Sequence, residues 1–304
     1  MAALRLEGVN TMSLQQLTPE WQAWVRENVA RGCSVDSMLT LLQQGGHGRA
    51  LAERAIAQAS AAAAGIQLAP PSAAQAQAPA APQQPRRRPQ IELQRNHLPC
   101  SDGQQVRIAA VLDQPQVLLF DNMLSAAECQ ALIALAEPRL ARSTVVDEQL
   151  GDARPHADRT SAGGWFQRGE DPLIQRIEAR LAELLNWPLD HGEGLQVLRY
   201  GIGGEYRAHF DYFNPTHPGS QQHLQAGGQR VGTCILYLGE VAAGGGTRFP
   251  SLGFEVRPTQ GAALYFASID AQGVEDAATL HAGVPVIEGV KYIATKWLRE
   301  RRYG

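Results

Sequence analysis

Eight short segments decide how this chain folds: LQVLRY (195–200), YRAHFDYF (206–213), RVGTCILYL (230–238), TRFP (247–250), FEVRP (254–258), GAALYFAS (261–268), LHAGVPV (280–286) and VKYIATKWL (290–298). They are short, apolar or alternating, and separated by turn residues. That is the signature of many strands in a sandwich or barrel. Upstream of them, Val106–Leu119 reads as strand material around a turn. Ser125–Glu137 (SAAECQALIALAE) and Asp171–Asn186 (DPLIQRIEARLAELLN) carry helical periodicity. Helices are expected to stop there. Two helices followed by about eight strands predict a mainly β fold with flanking helices, a double-stranded β-helix (jelly roll) with helices buttressing one sheet.

The N-terminal part has a different character. Residues 1–66 read as a small helical module. Thr18-Pro19-Glu20 is a helix start, with a capping residue, proline at the first helical position and an acid in the first turn. Trp21, Trp24, Val25 and Val29 follow at helical spacing, and Gly32 is the expected stop. Two further helices are expected, at Val35–Leu42 and Arg49–Ala64. Residues 67–90 are a linker rich in Pro, Ala and Gln with no apolar periodicity, semi-rigid where extended. Its Arg86-Arg87-Arg88 run reads as a solvated segment. The third part, 91–304, contains all the strands.

Composition narrows the function. The 304 residues hold 27 basic and 30 acidic side chains, a net charge of −3. Attraction to nucleic acid or to an anionic membrane surface is therefore not expected. No apolar run approaches the ~18 residues of a membrane span. The first residues show no secretory signal. Cys33, Cys100, Cys129 and Cys234 form no CxxC pair. They read as reduced thiols of a cytoplasmic protein.

The chemistry concentrates in YRAHFDYF. His209 and Asp211 are two apart, and residues i and i+2 of a strand face the same way. A second histidine, His281, opens a late strand. Two imidazoles and one carboxylate on neighbouring strands make a facial triad that leaves three positions of an octahedral metal open, an arrangement suited to non-haem Fe(II). His217 and His223, in the Gly- and Gln-rich stretch 214–229, are expected to face solvent.

Such a site needs an anchor for a dicarboxylate cosubstrate. Lys291 lies ten residues beyond His281, an even separation that returns it to the same face, although Pro285 and the Glu288-Gly289 turn intervene. All but two of the 27 basic residues are arginine, and Lys291 and Lys296 are the exceptions. A lysine in such a chain marks a place where a compact ammonium fits and a guanidinium does not. Lys296 has no role on this reading. Tyr200, ending LQVLRY, can supply a hydroxyl partner.

These residues resemble a known family. LRYGIGGEYRAHFDYF, GGQRVGTCILYL, GGGTRFP and HAGVPVIEGVKYIATKWL, in that order, are similar to the prolyl 4-hydroxylase branch of the Fe(II)/2-oxoglutarate dioxygenases. The resemblance covers about residues 100–301 and stops short of the N-terminal module. It implies that His209, Asp211 and His281 hold Fe(II), that Lys291 pairs with the distal carboxylate of 2-oxoglutarate, and that Tyr200 donates to it. It implies substrate-facing roles for Tyr206, Arg230, Trp297 and Arg159 of the Arg159-Thr160-Ser161 segment, with 142–169 and 214–229 as the flanking loops. The implied reaction uses O2 and 2-oxoglutarate, releases succinate and CO2, and hydroxylates a prolyl residue of a peptide or protein, with L-ascorbate as reductant. The alternatives are the same chemistry on a small molecule or another residue type, and a vestigial binding or sensing protein. Neutral histidine ligands also predict weaker iron binding below about pH 6.5. The oligomeric state is left open.

Overall fold

The computed structural model describes residues 86–146, 153–155 and 159–304, together with residues 17, 19–30, 35, 38, 39, 42, 48, 51–53, 55, 56 and 59. The chain divides into two compact units, Met1–Pro82 and Gln83–Gly304.

In the first unit, α1 spans Pro19–Ala30. It buries Val25 in a small core with Leu17, Met38, Leu39, Leu42, Ala52, Ile56 and Ala59, and Trp21 and Trp24 pack edge-to-face at 5.4 Å beside it. The expected start at Pro19 is therefore observed. The Thr18 cap, the Gly32 stop and most of the two further helices lie outside the described residues, as does 67–85 of the linker.

The second unit contains seventeen strands among the described residues. The first eight are β1 (His97–Pro99), β2 (Gln105–Leu112), β3 (Val117–Asp121), β4 (Ala141–Arg142), β5 (Thr144–Val146), β6 (Ala153–Pro155), β7 (Ala162–Phe166) and β8 (Gly192–Tyr200). Then follow β9 (Tyr206–His209), β10 (Arg230–Tyr237), β11 (Ala243–Gly244), β12 (Thr247–Phe249), β13 (Phe254–Val256), β14 (Ala263–Ala267), β15 (His281–Gly283), β16 (Val286–Glu288) and β17 (Lys291–Arg299). The helices are α2 (Ala126–Ala136), α3 (Pro172–Leu184) and the short α4 (Gln221–Gln225). A nine-stranded antiparallel sheet runs β1-β2-β3-β14-β10-β17-β8-β7-β4, and a four-stranded sheet runs β13-β12-β15-β9. Two such sheets, with the site between them, are the expected jelly roll.

Both faces of the central strands β8, β10, β14 and β17 of the large sheet are buried, which is why these strands read as near-continuous apolar runs. One face lies under α2 and α3, where Cys234, Leu236, Val197, Ala294 and Leu298 meet Leu132, Ile174, Ile177 and Leu181. The other faces the barrel interior with Ile235, Tyr237, Leu198, Tyr200 and Ile293. A buried Leu or Ile is worth roughly 1.5–3 kcal/mol each, so the helix-facing row is a large part of the stability. The helix starts follow their sequence signals. Ser125 and Glu128 form a capping box on α2, and the Asp171 side chain caps α3 ahead of Pro172.

Several expectations are corrected. The strand expected over 206–213 ends at His209, because beyond it side chains replace the ladder. The Gln229 amide pairs with both N and O of Phe213, at 2.8 and 2.7 Å, and Arg230 Nη1 donates to the Asp211 carbonyl at 3.4 Å. The helical content does not end at 186, since α4 lies in 214–229. β7 was unreadable because AGGWF looks like a loop. A Cβ on Gly163 would lie 2.9 Å from Ser143 Oγ and 3.0 Å from Leu198, so close packing demands glycine there. The Arg86–Arg88 run is not wholly solvated: Arg86 pairs with Glu275 at 2.8 Å and Glu300 at 3.4 Å, and Pro89 is buried. His217 and His223 are half-buried rather than exposed, and His223 stacks on Phe213 at 5.0 Å. Cys100, Cys129 and Cys234 are free and buried, while Cys33 lies outside the described residues. No helix among the described residues is long and apolar enough to cross a membrane.

Candidate metal centre and cosubstrate pocket

β9 and β15 are antiparallel neighbours, and His209 sits opposite His281 in their register. Asp211 reaches the same point from the bend after β9. His209 Nε2 lies 3.6 Å from Asp211 Oδ1, and His281 Nε2 lies 3.7 Å from Asp211 Oδ2. One potential ligand atom from each of the three falls within 4.8 Å of the others. Asp211 lies beyond the strand end, so it comes to the His209 side through the bend and not through the i, i+2 alternation expected of a strand.

The donor set fits a divalent transition metal. His209 Nδ1 meets the Arg207 carbonyl at 2.8 Å, and His281 Nδ1 meets the Thr279 carbonyl at 3.0 Å. A carbonyl can only accept, so each Nδ1 carries the proton and each Nε2 lone pair is left for a metal. Thr233, on the inward face of β10, donates to Asp211 Oδ2 at 2.7 Å and orients the carboxylate. Burial opposes the charge on Asp211, but the flanking His281 and His209 and the nearby Arg230 outweigh it and hold the carboxyl far below the usual range. Burial and the neighbouring His209 bring His281 down to about 4. His281 therefore stays neutral well below pH 6.5, and for this ligand the expected acid loss of iron moves to lower pH.

Lys291 is 2% exposed. It opens β17 directly opposite Tyr200 on β8, and its ammonium stands 5.3 Å from the centre of the Tyr200 ring. A Cβ on Gly283, two residues past His281, would be 3.8 Å from Lys291 Nζ, so the cation lies beside the ligand-bearing strand. Burial, partly offset by Glu255, lowers Lys291 to about 8. Burial pushes the Tyr200 hydroxyl up, partly offset by the nearby Arg159 and Ser161, so the phenol keeps its proton and can donate it.

The residues expected to face substrate form a connected group. Tyr206 stacks on His209 with centroids 3.6 Å apart, and the Arg159 guanidinium lies 4.8 Å from the Tyr206 ring centre. Arg230 lies 4.1 Å from the Trp297 ring centre and 4.7 Å from that of Phe213. It is not an open cation, because Glu193 takes its Nε and Nη2 at 2.6 and 2.8 Å. Trp297 is 6% exposed and its indole N–H has no partner among the described residues. Exposed Trp165 packs 5.6 Å away.

Thr233, Glu193 and Gln196 were not read from sequence as site residues. Thr233 had a signal, as the one aliphatic hydroxyl in the mostly apolar RVGTCILYL. Gln196, which accepts from Arg159 at 2.9 Å, had none.

Comparison with known proteins settles the lineage. Residues 195–299 match the 2OG-Fe(II) oxygenase superfamily pattern. Over 209 residues the chain is 38% identical to Probable prolyl 4-hydroxylase 3 of Arabidopsis thaliana, covering 62% of this chain and 71% of that protein. The chain belongs to the prolyl 4-hydroxylase-like 2OG-Fe(II) oxygenases. It is also 38% identical over 189 residues to the prolyl 4-hydroxylase subunit alpha-1 of Rattus norvegicus, covering 62% of this chain but 35% of that longer subunit. Among solved structures, the viral collagen prolyl hydroxylase of Paramecium Bursaria Chlorella virus-1, a 2OG complex, aligns at 30% identity and a TM-score of 0.49, over 62% of this chain and 99% of that one. In this oxygenase the region matched is the second unit, and the first unit has no counterpart in the superfamily pattern.

Proposed function

We propose that the chain hydroxylates prolyl residues of a peptide or protein, using Fe(II), 2-oxoglutarate and O2 and releasing succinate and CO2. The observation that carries the proposal is the convergence of His209, Asp211 and His281 beside a buried Lys291 that makes no ion pair among the described residues. An intact triad and an unspent buried ammonium argue against a vestigial binding protein. Identity to named prolyl 4-hydroxylases supports prolyl residues over small molecules.

Each group has an assigned task. The two Nε2 atoms and the Asp211 carboxylate would hold Fe(II) and leave part of its coordination sphere for cosubstrate and oxygen. When bound, the metal supplies the oxidising chemistry coupled to decarboxylation of 2-oxoglutarate. Lys291 anchors the distal carboxylate of the cosubstrate, and Tyr200 donates its hydroxyl proton to it. Tyr206, Arg230, Trp297 and Arg159 form the wall on which the peptide rests. L-Ascorbate as reductant is part of the proposal, supported by family resemblance. The cytoplasm is the proposed compartment, supported by three free buried thiols.

The test is incubation with Fe(II), 2-oxoglutarate and proline-containing peptides, reading succinate and the peptide mass. Substrate-dependent succinate with one oxygen added to a prolyl residue is expected. Succinate at the uncoupled background with every peptide rejects the prolyl assignment. Oxygen added to another residue type or a small molecule replaces it with the corresponding alternative.

A further inference from the structure

The first described residue of the second unit, Arg86, is locked into a ring of four residues. Its Nη1 donates to Glu275 Oε1 at 2.8 Å, and its Nε pairs with Glu300 Oε2 at 3.4 Å. Glu275 Oε1 also accepts from Gln229 Nε2 at 2.9 Å. Glu300 Oε2 also accepts from the Gln229 backbone N–H at 3.1 Å. The ring therefore closes: Arg86, Glu275, Gln229, Glu300 and back.

Gln229 is 0% exposed and all four of its amide valences are used. Besides Glu275, it takes the Phe213 N–H at 2.8 Å, the Arg230 N–H at 2.9 Å, and gives to the Phe213 carbonyl at 2.7 Å. It thus pins together the two ends of loop 214–228, two residues beyond the metal-ligand candidate Asp211. Glu275 stands next to Asp276, which caps the turn Ala277–Thr279 through the Ala278 N–H at 2.9 Å. The carbonyl of Thr279 holds His281. The ring sits behind both segments that deliver ligands to the centre.

The Arg86 backbone is built into this place rather than lying on it. A Cβ on Gly273, whose φ is +82°, would come 2.8 Å from both N and O of Arg86. Glycine at 273 is what admits the Arg86 backbone. Arg86 Nη1 reaches the Gly273 carbonyl at 3.4 Å as well.

We propose that Arg86 is a positioning residue: the arginine at the end of the linker neutralises Glu275 and Glu300, keeps Gln229 clamped on Phe213, and thereby sets the loop 213–229 that flanks the substrate groove. Without Arg86, Glu275 and Glu300 lose the cation they share on either side of Gln229. The clamp then loosens at the base of the loop, while Lys291 and the triad are untouched.

The test uses the full chain with Arg86→Ala, Arg86→Lys and, as control, Arg87→Ala at an exposed neighbour. Amide hydrogen exchange reads the loop directly and needs no substrate, so it decides independently of the prolyl assignment. In Arg86→Ala, exchange across 213–229 is expected to accelerate by about tenfold while β8, β10 and β17 exchange as before. The kinetic arm rests on the proposed function: the peptide KM rises roughly three- to tenfold, the 2-oxoglutarate KM stays put, and Arg86→Lys recovers most of the difference. Unchanged exchange in 213–229 overturns the proposal. So does acceleration spread evenly over the whole unit, which would make Arg86 a general stabiliser, or an effect of equal size in Arg87→Ala.

Discussion

Lys291 and Lys296 leave one strand on opposite faces. Five residues apart on β17, they are separated by an odd count, so one ammonium enters the barrel beside Tyr200 and the other goes under the helices to Glu178. Both are almost fully buried. The same residue type therefore serves chemistry on one side of the sheet and scaffold on the other, and the two lysines should separate cleanly in experiment.

Lys291→Ala removes the cation expected to hold the distal carboxylate. A charge-assisted contact of this kind is worth ~1.5–3 kcal/mol, so the 2-oxoglutarate KM should rise roughly ten- to hundredfold. Thermal stability should change little or improve, since a desolvated ammonium is lost. Succinate release against cosubstrate concentration measures it, and an unchanged requirement takes Lys291 out of the pocket.

The pH dependence follows in sign. In the free protein burial lowers Lys291 to about 8. A bound dicarboxylate favours the ammonium and raises that value. Below about 8 the lysine is already charged and its contribution is constant. Above about 8, binding must take up a proton, and cosubstrate affinity should fall by up to about tenfold per pH unit. Calorimetric titration across this range checks it, and Lys291→Ala should abolish the slope.

Lys296→Ala should behave in the opposite way. Lys296 Nζ lies 2.5 Å from Glu178 Oε1 on α3 and also donates to the Glu193 carbonyl. Breaking a buried pair leaves a stranded carboxylate and costs about 3–5 kcal/mol. Denaturant unfolding should show that loss, with the 2-oxoglutarate KM of the surviving folded enzyme unaltered.

Thr233→Val keeps shape and deletes the hydroxyl that donates to Asp211 Oδ2 at 2.7 Å. Loss of such an outer partner lowers metal affinity by about 10- to 100-fold. Competition against a chelating dye measures it on the apoprotein, with circular dichroism to confirm the fold. His209→Ala and Asp211→Ala should abolish both metal retention and turnover.

Much of this was legible in the sequence. Apolar runs at turn-marked spacing gave the strands, and Ser125/Glu128 and Asp171/Pro172 gave the helix starts, because capping is a local signal. His209, Asp211, His281 and Lys291 were readable because each is an unlikely residue for its surroundings. What escaped was set by long-range partners. The end of β9 depends on Gln229 and Arg230, some twenty residues on. β7 needs glycine only because Ser143 and Leu198 crowd it. The role of Lys296 needed Glu178, more than a hundred residues away, and the anchoring of Arg86 needed Glu275 and Glu300.

The orientation of both imidazoles is set by main-chain oxygens two residues earlier, at Arg207 and Thr279. Every amino acid carries that atom. Neither ring's orientation depends on which side chain stands at 207 or 279, and a designer transplanting this centre would copy a backbone path together with the three ligands and Thr233.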